Sequence, residues 1–220
     1  MIPSDALCAS LCEATYSPTA SIEQWDHFDP GLIDGVCWGL KRIDGFDIIA
    51  LRGSAIFQDW VRDLRAGPML TRIGHVHEGF HQGMEQAWTD IRGVLKQPVI
   101  ITGHSLGAAR ASILTALMIV DGTIPVARVV FGEPKPGFAD HAKIVVSVPG
   151  RSYRNGDGIH HDLVTDVPFS FPPLEYTRAS PIIPVSDPPP ADDQWGAFSY
   201  HHIQLYFGAL SALKPQETAA

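Results

Sequence analysis

PVIITGHSLGAARASILTALMIV, residues 98–120, packs a strand, a sharp turn and a helix into one short run. Residues 98–102 are apolar and bounded by proline and glycine, the pattern of a strand buried on both faces. Residues 105–120 are rich in Ala, Leu, Ile and Met, hold no glycine beyond Gly107, and stop at Asp121-Gly122, so they predict the strongest helix of the chain. Between the two lies Gly103-His104-Ser105-Leu106-Gly107, a G-x-S-x-G pattern. Glycines two before and two after the serine let strand and helix approach closely, and strained dihedrals at the serine are expected to lift its hydroxyl into the open above the sheet.

Working outward, residues 36–40 and 46–51 are β-rich and joined across Asp44-Gly45, a hairpin signal. Residues 4–16 predict a helix capped by Ser4 or Asp5, with Cys8 and Cys12 on one face. Residues 55–64 are amphipathic at helical spacing, and 78–96 predict one further helix ended by Pro98. Strands are expected at 126–131 and 152–154, and helices at 138–146 and 203–213. Residues 168–190 are rich in proline and predict loop with at most edge strands. Alternating strands and helices with tight connections imply an α/β architecture, a largely parallel sheet covered on both faces. With 220 residues, 45% of them apolar, the chain suits a single domain over 1–220.

Composition excludes several classes. A formal charge of −8, with 16 Lys and Arg scattered along the chain, offers no footprint for nucleic acid. Cys8, Cys12 and Cys37 are too few for a disulfide scaffold, and buried packing is their expected role. The first residues lack the basic start and apolar core of a secretory signal, which makes the cytoplasm the default expectation. The apolar run 113–120 falls far short of the ~20 residues that cross a bilayer, so no transmembrane segment is expected.

A serine at such a turn becomes a nucleophile when a general base takes its proton and a carboxylate orients the base. The free N–H groups at the helix start, Leu106 among them, point toward the oxygen that turns negative in acyl transfer. In this strand-turn-helix setting the chain order is serine, acid, histidine. Downstream, Asp157, Asp162 and Asp166 stand near loop positions, and His201 and His202 are the histidines nearest the end. No metal or organic cofactor is needed for that chemistry. A rival is His77-Glu78-Gly79-Phe80-His81, a literal H-E-x-x-H, which on a helix would make a zinc-dependent peptidase. Gly79 inside the required turn weakens it by about 1 kcal/mol relative to alanine. The pairs His160-His161 and His201-His202 are further, weaker metal candidates. A non-catalytic binding module is a third class, against which the intact serine, acid and histidine set argues.

Five segments in register resemble the class 3 (fungal-type) lipase family of the α/β-hydrolase superfamily. Ala50-Leu51-Arg52-Gly53-Ser54 with Asp59-Trp60 and Asp63 is similar to its F-R-G-S/T strand end. Val76-His77-Glu78-Gly79-Phe80 resembles V-H-x-G-F, and Ile101 to Ala109 resembles its nucleophile segment. Phe131-Gly132-Glu133-Pro134-Lys135-Pro136-Gly137 resembles F-G-x-P-R-x-G, and Asp162-Leu163-Val164-Thr165-Asp166-Val167-Pro168 resembles D-x-V-x-x-L-P. The resemblance implies an α/β-hydrolase fold and cleavage of carboxylic esters, with an ester or lipid as substrate. It implies Ser105 as nucleophile, Asp162 as acid with Asp157 in reserve, and His201 as base with His202 in reserve. The oxyanion hole falls to the backbone N–H groups of Leu106 and Ser54. The segment 55–64 follows Ser54 as the family's lid does, so it is a candidate lid for transient contact with a lipid interface, with an ordinary packed helix as the alternative. Departures are Arg110, where the family usually has a small residue, Lys135 for arginine, and four extra residues, 158–161, before the proposed acid. A buried Arg110 would need a partner such as a carboxylate.

Overall fold

The computed structural model describes residues 2–17, 25–54, 66–193 and 196–213. The expected lid, 55–64, lies outside the described residues.

The chain opens with helix α1 (Asp5–Ala14), whose first turn is closed by the Ser4 hydroxyl accepting the N–H of Leu7 at 3.2 Å. Strands β1 (His27–Asp29), β2 (Trp38–Ile43) and β3 (Phe46–Leu51) follow in antiparallel succession. The β2–β3 turn works because Asp44 and Gly45 both take positive φ, 50° and 81°. Strands β4 (Pro68–Thr71) and β5 (Gly74–His77) form a separate ribbon.

The single helix expected over 78–96 is two: α2 (Glu78–His81) and α3 (Met84–Val94). Gly83 separates them with φ 79°, and a Cβ there would collide with the carbonyl of Asp34. That close approach is tertiary, so helical periodicity does not report it. Then come β6 (Val99–His104), α4 (Leu106–Val120), β7 (Ala127–Phe131), α5 (Ala139–Val145), β8 (Gly150–Asp157) and β9 (His160–His161). Strand β8 is longer than the expected 152–154. It pairs in parallel with β7 on one side and β10 (Ile182–Val185) on the other, which draws weakly β-forming residues such as Asn155 and Gly156 into the ladder. Helix α6 (Ile203–Ala212) ends the described elements.

Among the described residues the main sheet has eight strands, ordered β1-β2-β3-β6-β7-β8-β10 with β9 beside β8. From β3 to β10 the neighbours along this path are parallel, so this is an α/β-hydrolase fold with a mostly parallel sheet between helical layers. Side chains alternate between layers as strand geometry requires. Ile49, Leu51, Ile101 and Val130 pack with Trp88 of α3 and the apolar residues of α4, whereas Ile48, Ile100, Val129 and Phe131 pack with Cys8 and Cys12 of α1 and Tyr206 of α6. Each such fully buried side chain contributes roughly 1.5–3 kcal/mol of transfer free energy. Helix α4 is buried all round from Gly107 to Met118, which sets Ser105 at the head of a buried helix and also buries Arg110. No described helix is long and apolar enough to cross a membrane.

Candidate active site

Ser105 sits where β6 ends and α4 begins, with φ 61° and ψ −129°. A non-glycine residue with positive φ stores about 1–3 kcal/mol of backbone strain, held only where the surroundings dictate it. Here they do. A Cβ at Gly103 would strike the carbonyl of Gly107, and one at Gly107 would strike that of Leu51, so strand and helix touch through glycine alone. The Ser105 N–H donates to the Phe131 carbonyl at 3.0 Å, tying the turn to β7.

The expectation of an open hydroxyl is corrected: Ser105 is only 3% exposed. The end of the segment after β3 packs against it, with Gly53 so close that a Cβ on it would lie 2.9 Å from the Ser105 Cβ. Ser105 Oγ makes no hydrogen bond to a described residue. A cavity of ≈ 360 Å³ opens beside it, lined by Ser54, Leu106, His77, Phe80 and Arg110 among others. The backbone N–H groups of Ser54 and Leu106 have no acceptor among the described residues, as is usual for the first N–H of a helix in the case of Leu106.

The fold brings Asp162 and His201 together. Asp162 is fully buried at the start of a 3-10 turn, Leu163–Asp166. Its Oδ1 accepts the N–H of Val164 at 2.9 Å, and its Oδ2 accepts from His201 Nδ1 at 2.6 Å and from the Tyr206 hydroxyl at 2.5 Å. Burial pushes this carboxyl up, but the charge and hydrogen bond of His201 and the donors Tyr206 and Val164 outweigh burial and hold it below the usual carboxylate range. Tyr206, buried beside that negative charge, is driven well above the ordinary phenol value and remains a donor. Gly132, with φ 58°, leaves room for both partners; a Cβ there would lie 2.6 Å from Asp162 Oδ2 and 2.8 Å from the His201 ring.

His104 links this pair to the serine that follows it. Its ring stacks on that of His201 with centroids 4.5 Å apart. Its Nε2 lies 2.8 Å from the His201 carbonyl, which can only accept, so Nε2 carries the proton. Nδ1 then accepts from the Tyr16 hydroxyl at 2.9 Å, and the Tyr16 oxygen accepts the Gly53 N–H at 3.1 Å. Burial first, and the neighbouring His201 second, lower the His104 pKa to about 3 and keep it neutral. One hydrogen-bonded chain therefore runs from the loop holding Ser54, through α1's trailing Tyr16, to the backbone of His201. Nothing in the local pattern around Tyr16 points to this role, since its partner lies 88 positions away.

The reserve candidates lie elsewhere. Asp157 is exposed at the end of β8, opposite His160 in a small hairpin built from the extra residues 158–161. His202 Nε2 pairs with Asp193 at 2.6 Å, and His161 Nε2 pairs with Asp166 at 2.8 Å. The loop carrying Asp162 is fastened by Lys135, whose Nζ donates to the Asp166 carbonyl at 2.8 Å. Glu133 at its base forms a buried ion pair with Arg128 at 2.6 Å.

The zinc reading of His77-Glu78-Gly79-Phe80-His81 fails on geometry. His77 ends β5 in extended conformation, φ −69° and ψ 125°, and only Glu78–His81 is helical, so the two imidazoles do not stand one turn apart on a helix. His77 instead lies beside Phe80, ring centroids 4.3 Å apart and planes tilted by 33°, on the cavity wall. Among the described residues no group of three His, Cys, Asp or Glu side chains is disposed to hold a metal ion. The three cysteines are buried and unbridged.

Comparison with known proteins gives relatives of one kind. The chain is 27% identical over 119 residues to secreted mono- and diacylglycerol lipase 1 of Fusarium solani, covering 49% of this chain and 35% of that protein. It is 29% identical over 128 residues to a lipase of Caenorhabditis elegans, covering 52% of this chain and 36% of the other. It thus spans about a third of the length of the curated relatives it matches. Its fold is similar to that of the Rhizomucor miehei lipase in complex with its propeptide, with a TM-score of 0.70 and 22% identity over 83% of this chain and 68% of that one. The model of lipase (class 3) matches residues 48–171, more than half of the sequence, and the chain belongs to the class 3 lipase family.

Proposed function

We propose that this chain is a serine hydrolase of carboxylic esters. The observation that carries the reading is the buried Asp162–His201 pair at 2.6 Å, with the imidazole stacked on the residue that precedes Ser105. His201 Nε2 takes the proton of Ser105 as Oγ bonds to the ester carbonyl carbon, and the carbonyl π electrons move onto oxygen. The N–H groups of Leu106 and Ser54 receive that oxyanion. Collapse of the tetrahedral intermediate breaks the carbon–alkoxy bond, and the imidazolium returns its proton to the departing alcohol. Water, deprotonated by the same imidazole, then releases the acid from Ser105. Asp162 holds the ring in the tautomer with Nδ1 protonated and stabilises the imidazolium. The hydroxyl–imidazole hydrogen bond forms as substrate binds, a tightening common in unliganded sites.

A lipid ester is the substrate class we favour, supported by the names of the relatives and by Phe80 and Leu106 on the cavity wall. Residues 1–220 are read as one domain, supported by the continuous sheet from β1 to β10. The test is a chain-length series of p-nitrophenyl esters, run below and above micelle formation on wild type and Ser105→Ala, with fluorophosphonate labelling of both. Turnover and labelling that vanish in the variant support the reading. Wild type that neither turns over nor labels overturns it in favour of a binding module.

A further inference from the structure

Two buried arginines are treated differently by this fold. Arg128 meets Glu133 at 2.6 Å and the Ser180 hydroxyl at 3.0 Å, the pairing that a cation needs when taken out of water. Arg110, on the first turns of α4, is 8% exposed and has no such partner. Its Nη1 donates to the neutral Gly35 carbonyl at 2.9 Å, its Nε has no acceptor, and no carboxylate of a described residue comes within 4.0 Å. Asp34 contributes a field from beyond that distance, its Oδ1 accepting the Val36 N–H at 2.8 Å and its buried Oδ2 having no hydrogen-bond partner, and Glu78, the acid on the larger cavity's wall, is exposed. Burial lowers Arg110 to about 10, and it remains a cation at neutral pH.

That residue borders two cavities. Besides the ≈ 360 Å³ cavity, Arg110 lines a second cavity of ≈ 130 Å³ together with Arg52, Ser54 and Leu106. Arg52 likewise has no carboxylate within 4.0 Å among the described residues. Cys37, on the same wall, is pushed up to about 11 by burial and stays a neutral thiol. Among the described residues the wall of this small cavity thus holds two arginines and no acid, with Asp34 and Asp29 acting on it only at longer range, next to Ser54 and Leu106, whose N–H groups are proposed for the oxyanion. Unused guanidinium donors select planar or tetrahedral oxyanions by charge-assisted hydrogen bonds.

We propose that Arg110 and Arg52 form an anion subsite, and that the preferred ester carries a phosphate or carboxylate group close to the scissile carbonyl. The proposal rests on the ester hydrolase reading and adds its specificity.

The test compares kcat/KM for matched pairs: dihexanoylphosphatidate against dihexanoylglycerol, and mono-4-nitrophenyl adipate against 4-nitrophenyl hexanoate. Wild type is expected to favour the anionic member of at least one pair by about tenfold or more, and the pair that responds identifies phosphate or carboxylate. Arg110→Met is expected to erase that ratio and Arg110→Lys to keep part of it. Neutral esters favoured in both pairs, or a ratio unchanged in Arg110→Met, overturns the subsite. Should the methionine variant not fold, inhibition of wild type decides: hexyl phosphate or hexanoate inhibiting at least about tenfold more strongly than hexanol supports the subsite, and equal inhibition overturns it. Wild type inactive on every ester, with Ser105 unlabelled, refutes the hydrolase reading instead. The subsite is then judged by whether hexyl phosphate raises the Tm of wild type more than that of the Arg110 variants.

Discussion

The turn that carries Ser105 is built from five consecutive residues, whereas Asp162 and His201 meet across 39 positions of sequence. The first half of the site is shaped by steric exclusion. Glycines at 103 and 107 permit a contact between strand and helix that any Cβ would block, and the start of α4 supplies N–H groups without further construction. The second half is shaped by polar satisfaction. Asp162 is sealed from water and must collect donors from its own 3-10 turn, from a second 3-10 turn that ends at His201 and from helix α6 at once, so its geometry is a product of the whole fold. A site half made by local sterics and half by distant hydrogen bonds is expected to fail in different ways when each half is damaged.

The largest effect is expected from Ser105→Ala, a fall in kcat of about 10⁴-fold or more with the fold intact, read by ester turnover and circular dichroism. Residual turnover within about tenfold of wild type would mean that the local half is not where the chemistry happens. Next is Asp162→Asn, expected to cost about 10³- to 10⁴-fold, against a change within about twofold for Asp157→Asn. Reversal of that order would move the acid to the exposed hairpin and leave the mechanism standing. Tyr206→Phe removes one donor to a buried carboxylate and is expected to lower kcat by about tenfold with KM nearly unchanged. No change would show that His201 and Val164 alone suffice to hold the acid.

The smallest effect is on stability. His104, at the seam between the halves, and His141, outside them, are lowered by burial to about 3 and about 4. The unfolded chain protonates them near an ordinary ~6.5, so their contribution is complete above that pH and drains away as pH falls toward the folded values. Wild-type Tm is expected to drop between pH 7 and pH 5, and His141→Gln, which cannot take up a proton, to flatten part of that slope. An unchanged slope would assign the acid lability to other groups.

Local features were legible from sequence in proportion to how local their causes are. The strand, turn and helix of 98–120, the hairpin closed by Asp44-Gly45 and the Ser4 cap follow from dihedral preference and periodicity, and the structure has all three. The break at Gly83 and the full extent of β8 depend on neighbours remote in sequence. The metal-like pattern at 77–81, the disfavoured rival, does not form a single helix, because spacing does not report where a strand stops and a helix starts. Choosing Asp162 over Asp157 came from family resemblance; in the structure only Asp162 is buried against an imidazole. Tyr16 left no trace, since a tyrosine after a helix has no pattern that names a histidine 88 residues on.

Tyr16 also bears on what counts as the catalytic unit. It lies well before residue 48, where the family likeness begins, and His201 lies well after residue 171, where it ends. A transplant of the recognisable segment into another scaffold would carry the proposed nucleophile and leave behind both the proposed base and the tyrosine that ties His104 to the loop holding Ser54. Any minimal version of this site therefore has to be cut by contact rather than by similarity.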